Sequence, residues 1–388
     1  MAGYQLVENA NFGANNWCMN LQPLYQHGLL TSLSNGEVHL LDWKTHKTIT
    51  TIKTGDVPIN KLKIINNDFN NESLFATASL DSVKIFDIRS KNCIATLHND
   101  KNSPFLSLDS RDDRLACGTE LSGVDAELFI YDIRNFDIPS RALVDSHHDD
   151  ITDIKFHPSD KNILLSGSTD GYTNIYDLTE EEEDDALHQV INYASIHSCG
   201  WISPRRIYTL SHMETFAISE LNDKSDELKE PQPLDFGDIR ESWNCNYVVD
   251  IYPGYIATGK SQEGQGSMTI IPLVAENPQI ESSITINNAH GDDVIRDVFI
   301  PSQDSQMMYS CGEDGNVKCW KANTRSLTIP EGFWDYSSKF NVFDTERDIA
   351  MDNNDSNSAV EDTHKKHKKK SKTKKNKKTV HVPRFTPY

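Results

Sequence analysis

VHLLD at residues 38–42, VKIFD at 83–87, LFIYD at 128–132 and TNIYD at 173–177 are one phrase repeated four times, and each closing aspartate follows the previous one by 45 residues. Each phrase is short, largely apolar or alternating, and ends in a carboxylate. Self-similarity at a fixed period of about 40 to 50 residues marks a stacked repeat, and a β-rich unit of that length reads as one blade of a propeller.

Around each phrase runs a short strand, a turn, a second strand ending in small residues, an Asp- or Gly-bearing turn and an alternating third strand, which is the all-β pattern. The last copy is the fullest: AHGDDVIRDVFIPSQ at 289–303, then MMYSCGEDGNVKCW at 307–320. An imidazole, a hydroxyl, a carboxylate and an indole N–H can each satisfy another, so a blade that holds all four can fix its loops through a buried polar network. The pattern resembles the WD-repeat family of β-propellers, whose repeat carries a His before the first strand, a Ser or Thr in the second, an Asp in the next turn and a Trp in the third. The resemblance implies a structural network of His290, Ser310, Asp314 and Trp320. The copy from Asp149 to Leu178 supplies His148, Ser166, Asp170 and Tyr176, with tyrosine in place of tryptophan, and His98 and Asp81 match in part.

Two later blades are degenerate. RRIYTLSH with ETFAIS supplies one, and GYIATGK with SMTIIPLV the next, the intervening SQEGQG being a lengthened turn. Third strands at 38–43, 83–88, 128–133, 173–178, 214–219, 268–273 and 317–320 make a seven-bladed WD-repeat β-propeller. The resemblance covers residues 4 to 330, and the chain as a whole is similar to the eukaryotic group around WD repeat-containing protein 89. We expect one domain over residues 1–343, a propeller with an aromatic extension docked through Phe333, Trp334 and Phe340, then a disordered basic tail over 344–388. A propeller hides its sheet edges by joining its ends. Tyr4 to Glu8 and Ser326 to Ile329 both alternate suitably for the closing strand, and the sequence leaves the choice open.

The formal charge of −20 conceals a division. Of the 38 basic residues 11 follow Asp362, and none of the 58 acidic ones does, so the first 364 residues carry about −31. The cationic cluster comprises Lys365, Lys366, Lys368, Lys369, Lys370, Lys372, Lys374, Lys375, Lys377 and Lys378. It has too little apolar content to bury and reads as a solvated segment bound by a nuclear import receptor, with non-specific RNA contact as an additional role. The expected location is the nucleus, with the nucleolus as a variant. No apolar run approaches 18 residues, so no membrane span is expected, and the seven cysteines contain no C-x-x-C pair and read as reduced thiols.

Acidic pairs recur in one position: Asp149 and Asp150 in one inter-blade loop, Asp292 and Asp293 in another. Carboxylates on one face of a ring attract a basic chain, and the competing reading is that aspartate is simply a good turn residue. Glu180 to Asp185 falls on the opposite face and reads as a solvated loop. FDIR and YDIR place Arg89 and Arg134 two residues after an aspartate, a pattern that in some WD-repeat proteins marks docking on a ubiquitin-ligase adaptor. No phosphate-binding loop, nucleophile elbow, zinc-protease helix or dinucleotide fingerprint is present. His147 beside His148 lacks further ligands at metal spacing. We therefore expect no catalysis, cofactor, metal or small-molecule substrate. The expected function is a nuclear protein-interaction scaffold for a basic partner such as a ribosomal protein or histone. The alternatives are the substrate receptor of a cullin-type ubiquitin ligase and an RNA-associated ribosome-assembly factor.

Overall fold

The computed structural model describes residues 3–65, 73–80, 82–224, 232–301 and 304–323, together with Leu327, Ile329, Val342 and Phe343. Seven antiparallel sheets follow one another, each built in up-and-down order. Blade 1 comprises Cys18–Leu24, Gly28–Leu33, Glu37–Leu41 and Thr48–Lys53, and blade 4 comprises Ile151–Phe156, Ile163–Ser168, Tyr172–Asp177 and Leu187–Asn192. First strands open at Lys61 in blade 2, Phe105 in blade 3, Ile196 in blade 5, Tyr247 in blade 6 and Ile295 in blade 7. From blade 6 through blades 7, 1, 2, 3 and 4 to blade 5 each lies against the next, with the first strand of blade 7 returning to that of blade 1. Blade 6 is the irregular one, since its third strand, Ser267–Val274, pairs both with Ile284–Asn287 and with the two-residue strand Asn277–Pro278.

The quoted phrases are the third strands, and their apolar residues are buried because each sheet is sandwiched between two neighbours. Leu128 and Ile130 of blade 3, for example, share a core with Ile154, Phe156 and Tyr176 of blade 4. The repeated aspartates fold back as turn caps: Asp42 accepts from the Lys44 and Thr45 amides, Asp87 from that of Arg89, Asp132 from that of Arg134 and Asp177 from that of Thr179.

The ring closes through the N-terminus. Tyr4–Asn11 is the fourth strand of blade 7, antiparallel to Asn316–Ala322, with Tyr4 opposite Ala322 and Asn11 opposite Asn316. Tyr4 is buried, whereas Leu6 and Val7 are about half exposed, as suits a strand on the outer rim. The competing segment does something else, since Leu327 and Ile329 sink into the core shared by blades 6 and 7. Across the closing seam Cys18, Leu21 and Leu33 of blade 1 pack with Tyr309, Cys311 and Val317 of blade 7.

All described residues belong to one compact unit, 1–343. Phe333, Trp334, Phe340 and the lysine-rich tail lie outside the described residues. All seven cysteines are free thiols, six of them buried. Among the described residues no helix is long and apolar enough to cross a membrane.

Candidate functional site

The foursome of blade 7 is assembled as a chain of hydrogen bonds. Trp320 donates its Nε1–H to Ser310 Oγ at 2.8 Å, Ser310 Oγ lies 2.7 Å from His290 Nε2, and His290 Nδ1 lies 2.8 Å from Asp314 Oδ1. Burial alone would raise the Asp314 carboxyl, but the His290 N–H and the Lys318 ammonium at 3.0 Å overcome it and hold the group down at about 2. Burial lowers the His290 pKa, keeping the ring neutral. An ionised Asp314 can only accept, so Nδ1 carries the proton and Ser310 donates to Nε2.

Blade 4 repeats the arrangement with one correction. The network histidine is His147, not His148: His147 Nε2 lies 2.7 Å from Ser166 Oγ and Nδ1 lies 2.9 Å from Asp170 Oδ2. His148 stands outside and pairs with Asp125 at 2.7 Å, its side chain 65% exposed. A signal for this was present in the sequence. His290 precedes Ile295, the start of its blade's first strand, by five residues, and of the two candidates His147 is the farther from Ile151. Tyr176 occupies the tryptophan position, its hydroxyl among Ser146, Ser166 and Asn174. Of the partial matches, His98 is exposed and Asp81 lies outside the described residues.

The acidic pairs stand on the face that carries the turns between second and third strands, in the loops entering blades 4 and 7. Blades 5 and 6 lie between them on one side and blades 1 to 3 on the other, so they form two patches rather than one cluster. Three of the four also brace loops. Asp149 caps the Asp150 amide, Asp150 accepts from the Leu121 amide at 2.8 Å, and Asp292 accepts from the Gly264 and Gly266 amides. Asp292 and Asp293 are exposed, Asp149 and Asp150 half-buried. On the opposite face Arg89 and Arg134 are exposed, and each guanidinium is paired with the aspartate of its own turn, Asp87 at 2.8 Å and Asp132 at 2.5 Å. The 180–185 run is not simply solvated: Arg141 donates to the Glu180 carbonyl, and the Glu183 carboxylate accepts from the Val144 and Asp145 amides of blade 3.

A second set of polar residues escaped the sequence reading. At six seams a side chain of one blade accepts from a backbone amide on the next blade's first strand: Asn20 from Leu62, Asp109 from Phe156, Asp153 from Cys199, Glu214 from Val248, Tyr247 from Ile295, and Asp297 from Leu21. These groups and the lysines beside them place charge along the axis. Lys63 pairs with Asp109 at 2.6 Å and Lys155 with Asp153 at 2.8 Å. Burial would raise Asp153, yet Lys155 and Lys61 draw it below the usual carboxylate range, whereas Asp250, half-buried and desolvated beside Asp297, is pushed up to about 7. ITDIKF and IRDVFI carried the signal for Asp153 and Asp297, a carboxylate at the third place of a strand that opens on isoleucine. Among the described residues no cluster of three His, Cys, Asp or Glu side chains is poised for a metal.

Seven sheets, a ring closed by the N-terminal strand and two His–Ser–Asp networks define a WD-repeat propeller. The family model for the WD domain, G-beta repeat, matches residues 140–177 and 281–321, the two blades that hold these networks. A WD repeat-containing protein of Saccharomyces cerevisiae is 64% identical over 355 residues, covering 91% of both chains. The WD repeat-containing protein 89 homolog of Dictyostelium discoideum is 29% identical over 84% of this chain and 91% of its own. Histone acetyltransferase type B subunit 2 of Candida glabrata is 28% identical over 46% of this chain and 39% of its own. The chain belongs to the WD repeat-containing proteins, a family whose propellers act as protein-interaction scaffolds.

Proposed function

We propose that this propeller is a nuclear scaffold that receives a basic protein, such as a histone or a ribosomal protein, on the face bearing Asp149, Asp150, Asp292 and Asp293. The observation that carries the reading is the charge division, about −31 over the first 364 residues with exposed carboxylates in inter-blade loops of a single face. A negative field over a rigid ring steers a cationic segment toward it whatever its detailed sequence. The partial similarity to a histone acetyltransferase subunit supports the histone as the first partner to try. Entry to the nucleus falls to Lys365–Lys378 through an import receptor. The test is binding of purified core histones to the full chain and to a variant with all four aspartates replaced by asparagine, which keeps the turn-forming side chain. Weaker binding of the variant at low salt, converging on the wild type as salt shortens the screening length to about 8 Å, is expected. Binding indifferent to both the substitutions and the salt would overturn the reading.

A further inference from the structure

On the face opposite the acidic pairs, Val342 is 2% exposed and belongs to the same core cluster as Ile163 of blade 4 and Ile207 and Leu221 of blade 5. Its backbone is held at both ends by charged groups. The Val342 N–H donates to Asp160 Oδ2 at 3.0 Å, and its carbonyl accepts from Arg205 Nη1 at 3.4 Å. The Phe343 ring lies 4.3 Å from the His188 ring, and Lys224 Nζ stands 5.2 Å from its centroid.

The platform beneath is rigid. Arg111, buried, donates to the His157 and Pro158 carbonyls. His157 donates from Nε2 to the Pro204 carbonyl at 2.6 Å and accepts at Nδ1 from the Ser159 and Asp160 amides. Asp160 is thus fixed with one oxygen on the Asn162 amide and the other directed at Val342. Without the Val342 N–H that second oxygen would stand beside apolar side chains and lack its backbone partner, a costly state for a carboxylate. The seam is therefore built to take a backbone amide, a carbonyl, a β-branched side chain and an aromatic ring in succession.

We propose that the seam between blades 4 and 5 is a peptide-docking groove whose resident ligand is the chain's own Val342–Phe343 pair, and that this ligand is exchangeable. Only 12 residues, 330–341, separate Ile329, anchored between blades 6 and 7, from Val342. A tether that short holds the pair at an effective concentration on the order of millimolar, so a peptide in trans must compete with it.

The experiment measures binding of a fluorescent peptide of residues 337–347 to the full chain and to a full chain carrying Val342→Ala with Phe343→Ala. We expect the emptied variant to bind at least about tenfold more tightly than the wild type, and a peptide carrying Val342→Asp to bind neither. A folded variant that fails to bind the peptide, equal affinity of the two proteins, or equal binding of the Val342→Asp peptide would each overturn the proposal. Hydrogen exchange in the unmodified chain gives a measurement that does not depend on the variant folding. The Val342 amide should exchange through a local opening, well before the third-strand amides of blade 4, and exchange of both only on global unfolding would refute an exchangeable ligand.

Discussion

Replacing Ser310 by alanine tests whether the blade 7 network stabilises the ring. The hydroxyl is a joint: it takes the Trp320 N–H at 2.8 Å and serves His290 Nε2 at 2.7 Å, and both partners are buried. Alanine leaves an indole donor and an imidazole acceptor without a partner in one step. Each unsatisfied group costs about 1–3 kcal/mol, so Ser310→Ala should destabilise by about 2–6 kcal/mol. With an unfolding entropy of ~2.1 cal/mol/K per residue over a ring of about 330 residues, that corresponds to a fall in Tm of roughly 3–9 °C. A cycle with Trp320→Phe sharpens the argument, because phenylalanine has no N–H to strand. In the Ser310→Ala background the Trp320→Phe change should cost about 1 kcal/mol less than in the wild type. The assay is urea unfolding followed by far-UV circular dichroism and tryptophan fluorescence. A Ser310→Ala midpoint equal to that of the wild type, or strict additivity in the cycle, would refute the reasoning and leave the four residues as a pattern without an energetic role.

Three further outcomes follow from the geometry. His147→Gln should destabilise by about 1–3 kcal/mol through the stranded Ser166 and Asp170, while His148→Gln should lie within about 0.5 kcal/mol of the wild type; the reverse order in thermal melts would restore the histidine that the sequence pattern suggested. His157 is lowered from the usual 6.5 to about 4, chiefly by burial, so between those values the unfolded chain binds a proton that the folded chain refuses; stability is full above pH 6.5 and falls by up to about 3 kcal/mol on acidification to pH 4. His157→Gln should flatten that limb of a stability-versus-pH curve, and an unchanged slope would show that the ring is not held neutral. Deleting residues 1–11 removes the strand that covers Asn316–Ala322 and leaves an open edge, so the truncated chain should aggregate or dimerise in sedimentation velocity, and a stable monomer would mean that the closing strand is dispensable.

How much was legible follows from where each signal lies in the chain. The third strands announced themselves because their terminal aspartates cap turns, a local task that demands the same residue at the same place in four successive copies. Blades 5 and 6 lost that aspartate yet kept the apolar strand, since sandwiching between neighbours requires burial and not a particular turn. Ring closure could not be read, because alternation is common to Tyr4–Glu8 and to the later segment. What decides between them is that the N-terminal strand matches the register of Asn316–Ala322 while Leu327 and Ile329 are taken by a core. Adjacent histidines were a matter of register: HHDD at 147–150 aligned on HGDD at 290–293 puts His147 over His290, and the strand that ends at His147 turns that ring inward. The seam residues were missed for a different reason. Their partners lie one blade away, about 45 residues on, and no local pattern shows that a carboxylate will find an amide there.

The seams also change how the acidic composition is to be understood. Asp42, Asp87, Asp132 and Asp177 cap turns, Asp109, Asp153 and Asp297 fasten blades, and Asp150 and Asp292 hold loops, so much of the negative charge has a structural task before any partner arrives. A backbone hydrogen bond favours the charged form of the carboxylate that accepts it, although Lys63 and Lys155 offset the charge of Asp109 and Asp153 and burial pushes Asp297 up. The field of a charged carboxylate still reaches a cationic chain within about a screening length, although its oxygens are committed and offer that chain fewer direct contacts. A ring of this kind attracts basic segments more strongly than it grips them. Capture then depends on charge and salt, whereas the choice among basic partners falls to groups with free hydrogen-bonding capacity or apolar surface on the same face, such as Trp17, Val124 and Met213, each 43% exposed or more.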